Sequence, residues 1–192
     1  MPVNRWKGSL MRKVSFLLLA AFLLFTVPSF AQDYAPFEIF GGYNFLRLNG
    51  VGENSISMNG WNMSFTGNLN STLGIKAEIA GVYKNLKDDY LGGEYNVNGY
   101  SFMAGPQING RFELFPSASS VFGHVLFGTE RLGGEYFIST SYFAMALGGG
   151  IDWGNGRIGV RAPQIDYFPM RVNGSIMNNF RISAGIVIRA GN

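Results

Sequence analysis

The stretch that most constrains the fold is Phe180 to Arg189, FRISAGIVIR, in which residue character alternates without a break. Phe180, Ile182, Ala184, Ile186 and Ile188 share one parity; Arg181, Ser183, Gly185, Val187 and Arg189 share the other. Successive side chains of an extended strand point to opposite faces, so one face of this strand is apolar and the other largely polar. Two arginines exclude an ordinary packed core behind the second face. Ten residues at ~3.3 Å each, tilted by ~45°, cross the ~25 Å apolar band of a membrane barrel. Such a strand needs neighbours on both edges, and the sequence upstream supplies them.

Seven further alternating segments precede it: Phe37 to Leu48, Trp61 to Asn68, Leu73 to Tyr83, Tyr100 to Phe112, Val121 to Arg131, Tyr142 to Trp153 and Arg157 to Tyr167. In the seventh, Gln164 and Asp166 have the opposite parity to Arg161, and Pro163 lies between. A bulge with one extra residue returns them to the face of Arg161. The connections are expected to alternate in length. Leu69 to Thr72, Glu113 to Ser120 and Gly154 to Gly156 are short. Asn49 to Gly60, Lys84 to Gly99, Leu132 to Ser141 and Phe168 to Asn178 are expected as four long surface loops. Short turns at one end and long loops at the other match a transmembrane barrel with periplasmic turns and termini.

The apolar faces carry aromatic residues near strand ends, among them Tyr43, Phe45, Trp61, Tyr83, Tyr100, Phe112, Trp153 and Phe180. That placement suits the two interfaces of a membrane. The polar faces are rich in glycine, serine and alanine, which suits a narrow lumen. The alternative is a soluble, lipocalin-like periplasmic barrel with its apolar faces inward around a ligand. An eight-stranded lumen is narrow enough for side chains to fill. The inward set is expected to include Glu38, Lys76, Glu78, Arg111, His124, Glu130, Asp152, Arg161, Asp166, Arg181 and Arg189. Acidic and basic members nearly balance, as a paired and hydrogen-bonded ionic network requires.

The first residues read as a secretory signal. Arg5, Lys7, Arg12 and Lys13 precede an apolar run from Val14 to Val27, and Ser29-Phe30-Ala31 fits cleavage after Ala31. The expected domains are therefore a signal peptide, 1–31, and a barrel, 32–192. Removing 1–31 takes away four basic residues and no acidic one, so formal charge falls from +3 to −1. The basic character of the precursor is thus no argument for nucleic-acid binding. The chain has no cysteine, which excludes disulfides, thiolate metal sites and a lipidated cysteine. Charged residues make up only 14% of it, against ~25% in soluble domains.

No catalytic or cofactor motif is found, and neither enzyme activity nor a cofactor is expected. His124 is the only histidine. Paired with Ser101 or Ser183 it would be the base of a barrel hydrolase, which is the enzymatic alternative; a narrow pore is the other. Gly148-Gly149-Gly150 lies within a strand and lacks the helix a phosphate loop needs, so it reads as barrel wall. Asp88-Asp89 and Glu94 are loop carboxylates with a weak cation signal.

The phrases FEIFGGYNF, GWNMSFTGNLN with LGIKAEIAG, FMAGPQI, FAMALGGGIDW, QIDYFP and NNFRISAGIVIR span most of the mature chain. In these the chain resembles the small outer-membrane proteins with an OmpA-like or OmpX-like barrel. One departure is the ending Ala190-Gly191-Asn192, where many members end in an aromatic residue. The resemblance implies the cell outer membrane, outer-membrane lipid as surroundings and insertion by the barrel assembly machinery. The expected fold is an all-β, eight-stranded, antiparallel, up-and-down transmembrane β-barrel after a cleaved signal peptide. The expected function is non-enzymatic, structural or surface-interacting, in a monomer with a plugged polar lumen and long loops open to an extracellular surface partner.

Overall fold

The computed structural model describes residues 34–191, apart from 52–53, 89–92, 113–118, 135–136 and 155. The expected signal segment lies outside the described residues. Eight strands follow one another: β1 Phe37–Val51, β2 Asn54–Asn68, β3 Leu73–Asp88, β4 Gly93–Phe112, β5 Ser119–Gly134, β6 Phe137–Trp153, β7 Ile158–Val172 and β8 Ser175–Ala190. Each pairs antiparallel with the next, and β1 pairs with β8 to close the barrel. That seam runs from Phe37 opposite Ala190 to Arg47 opposite Phe180. Closure leaves no strand edge, the condition for crossing lipid with strands.

The bulge expected in β7 is present. Gly150 of β6 faces Gln164 and Asp152 faces Arg161, so β7 holds an extra residue between them. The same irregularity appears against β8, where Arg161 faces Gly185 and Gln164 faces Ser183. Arg161, Gln164 and Asp166 consequently all turn inward and are buried. Gly148 to Gly150 serve as close-packed wall. A Cβ on Gly148 would collide with the Ile165 carbonyl oxygen, and one on Gly149 with that of Phe122.

The strands run further than the alternation suggests. Much of what reads as four long loops is paired backbone. β1 reaches Val51 and β2 starts at Asn54; β7 and β8 meet at Asn173-Gly174. Those two residues have φ of 49° and 86°, as a tight hairpin turn requires. The cause of the misreading is an inversion of faces. Near the termini, apolar residues point out and polar ones in. Beyond the aromatic residues at the other end the order reverses: Leu46, Leu48, Met58, Val82, Phe168 and Met170 are buried, while Arg47, Asn59, Arg131 and Arg171 are exposed. The far end is therefore a hairpin crown with an apolar filling and a polar outside. Ile56, Val97, Leu132 and Val172 pack against that filling. The interior is thus not polar throughout, as the sequence suggests, but divides into a polar zone and an apolar one.

Candidate functional site

The interior is the one place where chemistry-bearing side chains converge among the described residues. Strand alternation puts them there. Nearest the termini, Arg161 forks onto Asp152, with Nε to Oδ1 at 2.7 Å and Nη2 to Oδ2 at 2.9 Å. Glu38 lies 3.6 Å from Arg161 and 3.9 Å from Arg189. Arg189 reaches Asp152 at 3.5 Å and donates to the carbonyls of Gly154 and Gly156 at 2.9 and 3.2 Å. The Arg161 guanidinium lies between two inward rings, 5.0 Å from Phe40 and 4.0 Å from Phe122. Planar cation–ring contacts of this kind suit arginine better than lysine.

The next layer centres on Asp166. Arg181 directs Nε and Nη2 to Asp166 Oδ2 at 2.9 and 2.7 Å and also pairs with Glu78. Lys76 Nζ lies 3.2 Å from Glu78 Oε2 and donates to Gln164 Oε1 at 3.3 Å. Gln164 in turn donates to Asp166 at 3.0 Å. His124 Nδ1 lies 3.4 Å from Lys76 Nζ, and its Nε2 lies 2.9 Å from Asp166 Oδ1. An ammonium can only donate, so this geometry assigns the ring proton to Nε2. Ser183 donates to Asn44 Oδ1 and accepts from Asn62, both at 3.3 Å.

Four fixed cations, Lys76, Arg161, Arg181 and Arg189, thus meet four carboxylates, Glu38, Glu78, Asp152 and Asp166. Glu130 stands apart, nearer the crown. Ser101 hydrogen-bonds its carboxyl, and its Oε1 has no hydrogen-bond partner. The gap around it, lined in part by Asn44, Leu46, Phe168 and Arg181, has no room for a water molecule. Arg111 faces Ser120 across the ladder, but its side chain lies outside the described residues.

Some contributors escape a search for charges. Gln164 ties Lys76 to Asp166, and only its parity after the bulge betrays it. Phe40, Phe122 and Phe168 stack on the arginines, with Phe168 5.1 Å from Arg181. Their signal is a parity opposite to that of the outward aromatics. The arrangement is poorly suited to nucleophilic catalysis. Both nitrogens of His124 are engaged by Lys76 and Asp166, and Ser183 is held by Asn44 and Asn62. Among the described residues no group of three or more His, Cys, Asp or Glu could hold a metal ion.

The outside is the converse of the inside. Ile75, Phe102, Ile108, Ile182 and Ile186 are exposed, at 44–58% of their surface. Aromatic contacts band this belt at both ends. Trp61 donates to the Tyr83 hydroxyl at 3.2 Å, which in turn lies 3.4 Å from that of Tyr100. At the other end Phe37 stacks on Phe65 at 5.7 Å, and Trp153 donates to the Ala162 carbonyl at 2.7 Å. An apolar belt between aromatic bands belongs in a bilayer.

Solved structures match the whole barrel. Neisserial surface protein A aligns with a TM-score of 0.60 at 9% identity, over 81% of this chain and 98% of that one. The outer membrane protein OprG from Pseudomonas aeruginosa gives 0.54 at 10%, over 83% and 97%. Ail, the attachment invasion locus protein of Yersinia pestis, gives 0.50 at 17%, over 81% and 99%. The chain has the fold of the small outer-membrane barrels. No protein-family model matches the sequence, and no curated protein does. Fold and surface together are those of a β-barrel of the cell outer membrane.

Proposed function

We propose that this is a non-enzymatic barrel whose lumen is closed, and that it acts as a wall component or as a surface-contact protein through its outward hairpins. The observation that carries this reading is the interior. A charge-neutral ionic layer stands in series with an apolar layer, and both ring nitrogens of His124, the one histidine of the chain, are engaged by Lys76 and Asp166. The expected inward residues, Arg111 aside, then have a structural role: they fix strand register and fill the lumen. The exposed apolar belt speaks against a soluble ligand-binding barrel, whose apolar face would line the inside. The mature protein begins after Ala31, is inserted by the barrel assembly machinery and sits in lipid as a monomer. The crown marks the outer end, because its polar outside suits water rather than lipid.

Membrane fractionation with heat-dependent gel mobility tests the placement. The folded barrel is expected in the outer-membrane fraction, with a mobility that changes on boiling. Planar-bilayer recording tests the closed lumen, with no stepwise conductance expected. Steady single-channel steps would replace this reading with that of a narrow pore.

A further inference from the structure

The charges on the exterior are sorted by sign. All five carboxylates whose side chains are described, Glu38, Glu78, Glu130, Asp152 and Asp166, face the lumen. The outward-facing charges among the described side chains are arginines. Arg157 lies at the end that holds the termini; Arg47, Arg131 and Arg171 lie at the crown end, all exposed. Each of these three is in register with an outward aromatic of the band: Arg47 with Phe180, Arg131 with Tyr100, Arg171 with Phe143. Phe143 and Phe180 are themselves half exposed. The register places three guanidinium groups where the apolar belt gives way to the polar crown. Arg47 donates to Ser55 Oγ at 3.0 Å and pairs with no carboxylate on the described exterior. A charged group at that level meets lipid headgroups before it meets bulk water. Guanidinium forks match phosphate oxygens in pairs, and the stems can lie along the aromatic rings.

We propose that Arg47, Arg131 and Arg171 form a cationic collar that binds the phosphate groups of glycolipid headgroups in the outer leaflet. The inference rests on the membrane placement proposed above. The sequence linking the paired strands carries acidic residues, Glu53, Asp89 and Glu135, whose charge repels phosphate. Recognition therefore belongs to the level of the aromatic band and not to those links.

The test uses the folded barrel purified from membranes in a zwitterionic detergent. Lipid A carrying its phosphates is the probe, with dephosphorylated lipid A and inorganic phosphate as comparisons. Bound lipid is counted by native mass spectrometry. The wild-type barrel is expected to retain the phosphorylated lipid in preference to the dephosphorylated one. The triple variant Arg47→Gln, Arg131→Gln, Arg171→Gln should bind roughly a hundredfold more weakly, and each single variant roughly fivefold more weakly. Arg157→Gln, at the opposite end, should bind like wild type. The single variants carry the test should the triple variant fail to fold. Equal retention of both lipids, unchanged binding in the arginine variants, or full competition by inorganic phosphate at equal concentration would overturn the collar. Heat-dependent mobility and fractionation are read on the same preparations. A soluble chain would sink the membrane placement and the collar together, whereas an inserted barrel blind to phosphate would sink the collar alone.

Discussion

Arg181 decides how the interior responds to a single substitution. It is 1% exposed and satisfies Asp166 and Glu78 together. The pair Asp166 and Glu78 cannot be solvated where it stands, so Arg181→Met leaves buried negative charge without its principal partner. Breaking a buried ion pair from one side costs about 3–5 kcal/mol. Arg181→Met is expected to lower stability by about that much in urea unfolding of the folded barrel. Combining it with Glu78→Gln should restore part of the loss, because one cation and one carboxylate are then removed together and Asp166 keeps His124 and Gln164 as hydrogen-bond partners. A double variant no more stable than Arg181→Met would show that the network's charge balance does not matter. Outside, the same residue type fails for a different reason. Ile186 is 54% exposed on the belt, and Ile186→Arg near the midplane should cost on the order of 2–4 kcal/mol, with Ile186→Leu tolerated. Ser183→Arg, earlier in the same strand but on its inner face, should act by crowding Asn44 and Asn62. Equal stability of Ile186→Arg and Ile186→Leu would contradict the assignment of faces.

Among the elements, β7 carries the most unusual constraint. Its extra residue between Arg161 and Gln164 is what allows Arg161 to meet Asp152 while Asp166 meets Arg181. Deleting Ala162 removes the extra residue, so the ladder becomes regular with Arg161, Gln164 and Asp166 all still inward, and heat-dependent mobility should be retained. Deleting Ile165 instead makes Gln164 and Asp166 direct neighbours, so one of them must turn toward lipid, and that variant is expected to lose heat-dependent mobility. Equal behaviour of the two deletion variants would mean that side-chain parity does not set the register of β7. The bulge was legible in the sequence because charged residues reveal parity: Arg161, Gln164 and Asp166 cannot all face inward without it. The crown was not legible, for the same reason in reverse. Leu46, Leu48, Phe168 and Met170 are of the residue types that also face lipid, so parity among apolar residues alone does not say which side is in. Phe168 through Asn178 therefore reads as a loop, although Phe168, Met170 and Val172 continue the inner face of β7. The ionic network was readable nearly residue by residue. Its aromatic partners, Phe40 and Phe122, were not, because nothing in their chemistry demands a lumen, whereas Gln164 could be placed by its parity after the bulge.

At the scale of the whole molecule the two interior zones act as seals in series, and that arrangement makes a prediction about transport. Water and ions entering from the terminal end meet the ionic layer, where every fixed cation has a carboxylate beside it. Beyond it they meet Leu46, Met58, Leu126, Phe168 and Met170, all at most 2% exposed. An apolar constriction of this kind stays closed by excluding water, without any need for charge. Opening one zone should then leave the other shut. Arg181→Ala with Glu78→Ala enlarges the ionic layer but leaves the crown dry, so conductance in planar bilayers is expected to stay at background. Phe168→Ala with Leu46→Ala opens the crown but leaves the ion pairs in place, and again no current is expected. Joining all four substitutions should give measurable steps, far above the sum of the two parent variants. The outcome separates a closed scaffold from a gated pore. A single-zone variant that already conducts would mean that one layer alone holds the barrel shut. A wild-type barrel that conducts would mean that neither does.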